Sequence, residues 1–154
     1  MLLRQNRKRR PRGYAVVALV NPKSPHNIGG VLRAAGCYAA SLVVLGGKRP
    51  IRLGSLITDT QKAWKHIPHI FVDDVFDALP YSCVPIAIDF WEDAKPLQSF
   101  IHPERAFYIF GPEDSTLGKE ITNRCHHRVY IPTTHCMNLA ATTNVVLYDR
   151  MAKQ

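Results

Sequence analysis

Several familiar signatures are missing from this chain. No G-x-G-x-x-G follows the first apolar run, so neither a dinucleotide-binding fold nor the common methyltransferase layout is signalled. There is no G-x-x-x-x-G-K for a P-loop and no G-x-S-x-G nucleophile elbow. The four cysteines, Cys37, Cys83, Cys125 and Cys136, form no C-x-x-C pair. A chain of 154 residues can bury a core without staples, so a reducing cytoplasm is the expected setting. Long hydrophobic runs are absent too, and no segment approaches the length needed to span a bilayer. The apolar run Tyr14 to Val20 passes straight into Asn21-Pro22-Lys23 without a small-residue cleavage pattern, which argues against a secretory signal.

Charge, by contrast, is plentiful and uneven. The formal net charge is +8, and Arg4, Arg7, Lys8, Arg9, Arg10 and Arg12 supply six positive charges before any acid appears. Residues 1–13 are therefore expected to be a basic, flexible tail on a single domain spanning 14–154. Arg7, Arg9, Arg10 and Arg12 are candidate RNA contacts, because each cation that neutralises a phosphate releases counterions. The competing reading is a solubilising arm. Cys125-His126-His127 and His135-Cys136 invite a zinc reading. The strand between them would hold the groups roughly 13 Å apart, too far for ligands that lie about 2 Å from the metal. No metal is expected.

Along the chain, strands alternate with helices. Tyr14–Val20 reads as a strand buried on both faces. A helix starting near Asn27 presents Ile28, Val31, Leu32 and Ala35 at helical spacing. Gly29 and Gly30 are poor helix formers on the same side as Arg33. Either they leave bare backbone for a ribose or phosphate beside the guanidinium, or they allow tight packing. Further strands are expected at 41–45, 69–72, 84–90, 106–110 and 129–131. Helices are expected at 53–66, with Trp64 in the core, at 75–79 capped by Asp73, and at 117–125 capped by Ser115 or Thr116. Residues 91–105 read as mostly loop with a short helix. The pattern predicts a three-layer α/β/α sandwich around a mostly parallel six-stranded sheet.

The last stretch, VYIPTTHCMNLAATTNVVLYDRM (129–151), organises the rest. A short strand ends at Pro132, small and polar residues follow, and Asn138 is placed to cap a helix. Leu139, Val146, Leu147 and Met151 give that helix an apolar side, while Ala140 and Ala141 permit a close backbone approach.

Three loops then line up: NPKSPHNIGGVLR (21–33), FGPEDSTLG (110–118) and IPTTHCMNLA (131–140). In this order and spacing they resemble the three motifs of the SPOUT superfamily, specifically the SpoU/TrmH family of RNA 2′-O-ribose methyltransferases. The short chain and the Met-Asn-Leu of the third motif are most similar to the small tRNA wobble-nucleotide methyltransferases. The resemblance implies a C-terminal trefoil knot and S-adenosyl-L-methionine as cofactor, with S-adenosyl-L-homocysteine as product. It also implies a homodimer with the active site at its interface and RNA as substrate, tRNA before rRNA. Residue by residue, it places Asn27, Arg33, Glu113 and Asn138 in catalysis. It places Ile88, Phe110, Gly111, Ile131, Cys136, Met137 and Leu139 around the cofactor. Arg33 also falls among the RNA contacts. Thr116 stands where the family usually has glycine, and Cys136 where it usually has serine, which replaces a good hydroxyl donor by a weak one.

Methyl transfer to a ribose hydroxyl needs alignment and help with the departing proton. A guanidinium stays protonated at ordinary pH, so Arg33 is better suited to holding a phosphate and stabilising a developing alkoxide than to acting as a base. Two other readings compete: a catalytically silent RNA-binding relative, and a flavodoxin-like nucleotide-binding domain without its usual first loop.

Overall fold

Val16, Val17, Ala18 and Leu19 are all fully buried at the centre of the first strand, so that strand is covered on both faces as its continuous apolar run predicts. The structure is a computed structural model and describes residues 12–51 and 62–154. Seven parallel strands form one sheet: β1 (Tyr14–Val20), β2 (Leu42–Gly46), β3 (His69–Val72), β4 (Val84–Ile88), β5 (Lys95–Pro96), β6 (Arg105–Phe110) and β7 (His127–Tyr130). Their order is β3-β2-β1-β6-β4-β7-β5. The expected count of six misses β5, a two-residue strand beside Val129 and Tyr130 of β7. Two residues carry no periodicity, and Pro96, which lacks an amide hydrogen, is tolerated at the sheet edge.

Residues alternate between two cores. Val17 and Leu19 pack with helices α1 (Pro25–Cys37) and α3 (Leu139–Ala152), whose Ile28, Leu32, Leu139 and Val146 face the sheet. Val16 and Ala18 face the other way, towards Val75, Phe107, Ile109 and Leu117. That second layer is thin. It holds a 3₁₀ helix, Val75–Ala78, and the single-turn α2 (Lys119–Thr122) instead of the longer helices expected at 75–79 and 117–125. Asp74, not Asp73, caps the first by accepting from the Phe76 amide. Neither Ser115 nor Thr116 caps α2, because Gly118, at φ +79°, occupies the N-cap. Of the expected helix at 53–66, residues 53–61 lie outside the described residues. Its end is a 3₁₀ turn, Ala63–Lys65, and Trp64 packs against the first core as expected.

The close approach anticipated at Ala140 is made to Gly30. A Cβ on Gly30 would lie 2.7 Å from the Ala140 Cβ, so α1 and α3 touch through these two positions. At Gly30, then, the tight-packing alternative holds, and the glycine is not bare backbone awaiting a ligand.

The far end of α3 is fixed by polar contacts that the apolar spacing did not suggest. Arg150 is 2% exposed and donates to the carbonyls of Pro103 (2.7 Å), Glu104 (2.8 Å) and Arg12 (3.0 Å). His102 lies between the Tyr108 hydroxyl and Asp149, 2.7 Å from each. Burial lowers the His102 pKa although Asp149 opposes the shift, and burial pushes Tyr108 up to about 12. A neutral imidazole fits both contacts. Its Nε2–H donates to the carboxylate, which can only accept, and Nδ1 accepts from the tyrosine.

Two outcomes follow. Gly30→Ala gains about 1 kcal/mol of helix propensity, but the overpacking costs about 1–3 kcal/mol. A net loss in denaturant unfolding is expected, recovered in part by adding Ala140→Gly. An unfolding midpoint that rises with Gly30→Ala alone would show that the helices part freely. Because His102 binds its proton more weakly folded than unfolded, its contribution is present above the ordinary histidine pKa. That contribution is lost as pH falls below it. His102→Gln should flatten the decline in stability between neutral pH and mild acid, measured by unfolding across that range.

Candidate active site

The three motif loops meet at the C-terminal ends of β1, β6 and β7. Asn138 is the N-cap of α3, as expected: its Oδ1 accepts from the amides of Ala140 (2.9 Å) and Ala141 (3.3 Å). Its Nδ2 is thereby left to donate, and it reaches Asn27 Oδ1 at 2.7 Å. Asn27 in turn donates from Nδ2 to Glu113 Oε1 at 3.1 Å. Glu113 also accepts from the amides of Lys23 (2.9 Å) and Ser24 (3.4 Å). One hydrogen-bonded chain, Asn138 to Asn27 to Glu113, therefore crosses all three loops. Helix α1 begins earlier than the expected Asn27. Ser24 is its N-cap, with Pro25 in the first turn, so Asn27 projects from a helix already formed.

Burial raises the Glu113 pKa, but the backbone amides and the Asn27 side chain outweigh it and hold the carboxyl below its ordinary value. The N-terminus of α1 favours the same ionised form. Asp114 pairs with Arg49 at 3.1 Å, and Arg49 also donates to the Asn21 carbonyl at 3.1 Å. The first and second loops are thus joined twice. β4 ends at Ile88, two residues before the expected end at Phe90, and Asp89 follows it. Its carboxylate accepts from the amides of Phe90 (2.8 Å) and Leu117 (3.1 Å).

Between these loops lies a cleft of about 800 Å³, within the usual range for a small-molecule site. All seven residues expected around the cofactor line it: Ile88, Phe110, Gly111, Ile131, Cys136, Met137 and Leu139. Ile88, Phe110 and Leu139 are buried and make an apolar floor, while the loop at 132–136 is exposed. Gly111 eases a close approach, since a Cβ there would lie 3.3 Å from the Leu117 amide nitrogen. An apolar floor with polar loops at its rim fits a flat purine joined to a polar chain. Thr116 and Cys136, the two departures from the family pattern, both face this cleft.

Glu113 lines the cleft, and Asn27 and Asn138 stand behind it through the hydrogen-bonded chain. Arg33 does not line it. It is exposed on α1, about 9 Å along the helix from Asn27. Arg12 is also away from the cleft, its amide donating to the Gln154 side chain and its carbonyl accepting from Arg150 and Gln154. Arg7, Arg9 and Arg10 lie outside the described residues. Among the described residues no cluster of His, Cys, Asp or Glu is placed to hold a metal. His135 and Cys136 line the cleft, and Cys125, His126 and His127 lie elsewhere.

The residues unforeseen from the sequence are Asp89, Arg49 and an aromatic pair. Phe90, 73% exposed at the cleft, stands edge-on to Tyr130 with ring centres 5.3 Å apart. An aspartate near the end of an otherwise apolar strand was the available sign for Asp89. Nothing local marks Arg49, whose partner Asp114 is 65 residues away.

Residues 14–148 match the SpoU rRNA Methylase family. A Staphylococcus epidermidis protein assigned to the TrmH-family tRNA/rRNA methyltransferases is 21% identical, over 97% of this chain and 63% of its own length. The SpoU methyltransferase AviRb of Streptomyces viridochromogenes, solved with its cofactor AdoMet, superposes with a TM-score of 0.80 at 20% identity. That match covers 96% of this chain and 60% of AviRb. A structure described as giving insight into the 2-OH methylation of C/U34 on tRNA superposes with a TM-score of 0.74 at 23% identity, covering 92% of this chain and 99% of that one. The chain spans about three fifths of the first two relatives. The fold is theirs, and with the match covering most of its length this chain belongs to the SpoU methylase family.

Proposed function

We propose that this protein is an S-adenosylmethionine-dependent methyltransferase acting on a ribose 2′-hydroxyl of RNA, with tRNA as the substrate class. One observation carries the reading. The Asn138–Asn27–Glu113 chain joins three family motifs at the edge of a cleft lined by every residue expected to hold the cofactor. The likeness to the C/U34 structure, which is matched over 99% of its own length, supports tRNA over rRNA.

Bound in this cleft, the cofactor supplies an electrophilic methyl group on a sulfonium. Ile88, Phe110 and Leu139 would hold its adenine, and main-chain groups near Gly111, Ile131, Cys136 and Met137 would take its polar atoms. The chain's own residues then orient the acceptor. Glu113 is ionised at neutral pH, and its oxygens are engaged by amides, so it braces the loops and does not serve as a free base. Arg33 would hold the RNA phosphate and stabilise the alkoxide as the hydroxyl proton leaves to a phosphate oxygen or water.

Because Arg33 lies off its own chain's cleft, the reading includes a homodimer in which Arg33 completes the partner's site. Exposed Val145 and Tyr148 on α3 support that interface, with Tyr38 packed edge-on to Tyr148 at 6.4 Å. A C-terminal trefoil knot also belongs to the reading. It is supported by β7, which lies inside the sheet between β4 and β5 before the chain turns back to α1. The basic residues Arg7, Arg9, Arg10 and Arg12 would add RNA affinity without sequence preference. Four free cysteines suit a reducing cytoplasm.

Arg33→Ala should leave S-adenosylmethionine affinity nearly unchanged and slow single-turnover methylation of tRNA about a hundredfold to a thousandfold. Arg33→Lys should recover some RNA binding but little turnover, because lysine lacks the planar fork. Wild-type rates in Arg33→Ala would remove the arginine from the chemistry. Tyr148→Glu should shift sedimentation to a monomer and abolish turnover together. Full activity from that monomer would exclude the shared site.

A further inference from the structure

A second concavity, of about 220 Å³, opens beside β5 and the start of β7 and shares no residue with the cofactor cleft. Its charges do not cancel. Arg128 is paired with Asp93 and also donates to the Thr122 carbonyl (3.3 Å) and Asn123 Oδ1 (3.2 Å). Cys125 contributes no anion, because burial pushes its thiol up to about 11. What remains is the Lys95 ammonium with the imidazoles of His126 and His127, all three on exposed residues. Among the described residues, no hydrogen bond or ion pair joins these three side chains to a protein acceptor.

The backbone under these donors is held in place, and so is the His127 ring. Lys95 is fixed in β5 by its register with Val129. The His126 amide donates to the Pro85 carbonyl at 2.9 Å, and the His127 ring stands edge-on to buried Phe100 at 5.5 Å. Burial first, then neighbouring His126 and Lys95, lower the His127 pKa, as expected where groups of one sign crowd together without a counter-charge. A cation would be repelled here, and no metal-holding cluster exists among the described residues.

We propose that this concavity binds a phosphate group, with Lys95 supplying the charge and His126 and His127 supplying N–H donors. The three residues line one concavity, with His126 and Lys95 near enough to His127 to act on its charge. A tetrahedral oxyanion offers an acceptor oxygen for each, and charge-assisted contacts of this kind are the stronger class of hydrogen bond. An RNA backbone and a small phosphate ion both offer this chemistry, and the two arms of the test distinguish them. The binding itself does not depend on the methyl-transfer reading.

The test has two arms. In the first, the histidine C2–H resonances are followed by NMR while inorganic phosphate is added at constant ionic strength, with chloride as the control. The wild-type protein should show saturable shifts for His126 and His127. Lys95→Gln should weaken binding about tenfold, and Lys95→Arg should largely preserve it. In the second arm, binding of a short single-stranded RNA is measured across salt concentration. A slope lower by about 0.7 in Lys95→Gln assigns the phosphate to the RNA backbone. An unchanged slope, with phosphate binding lost, assigns the site to a small phosphate. No saturable shift in the wild type, together with an unchanged slope, overturns the proposal. Cofactor affinity should be equal in wild type and Lys95→Gln. Failure of the wild type to bind S-adenosylmethionine would therefore count against the proposed function alone.

Discussion

The Glu113 carboxylate is where the three loops of the site are joined. Each contact it accepts is modest by itself, since a typical hydrogen bond contributes about 1 kcal/mol net and a charged one somewhat more. Their value lies in being simultaneous. The Lys23 and Ser24 amides position the entry to α1, and Asn27 carries the link on to Asn138 at the head of α3. With a depressed pKa, this junction holds above the ordinary glutamate range and is lost only as acid protonates the folded carboxyl. At neutral pH the cleft is shaped before any ligand arrives, which lowers the ordering cost of binding.

That junction depends on the layer behind it. Helices α1 and α3 cover one face of the sheet and touch through Gly30 and Ala140, so their N-termini are held side by side. At its other end α3 is fastened by Arg150, whose buried guanidinium satisfies three carbonyls. The opposite face is covered more thinly, by a 3₁₀ helix and one turn of α2. The site is therefore carried by the thicker side of the molecule, as preorganised chemistry requires.

Much of this was legible in the sequence, for a physical reason. Continuous apolar runs such as Tyr14–Val20 are sufficient to mark strands buried on both faces, and helical spacing marked α1 and α3. Asn138 was recognisable because capping chemistry is local. Longer-range features were not legible. The edge strand Lys95–Pro96 is too short for any period, and Asp74 rather than Asp73 caps its helix because one residue of register decides the matter. The burial of Arg150 depends on carbonyls 46, 47 and 138 residues away. The glycine pair in α1 was ambiguous in sequence because a missing side chain serves packing and ligand approach equally well. At Gly30, only the position of Ala140 settles which one applies.

The contact between Arg12 and Gln154 has a topological consequence. The Arg12 amide donates to the Gln154 side chain, whose Nε2 donates back to the Arg12 carbonyl, so the two positions lie side by side. A short linker across them would close residues 12–154 into a ring. The ring could be reopened at Tyr81, 94% exposed between the Val75–Ala78 helix and β4, without cutting a strand or a motif loop. Such a permuted segment would have its ends on the thin side of the sheet. It would place both new ends far along the sequence from the loop that Asn138 closes, and so separate the order of synthesis from the order in which the cleft is assembled.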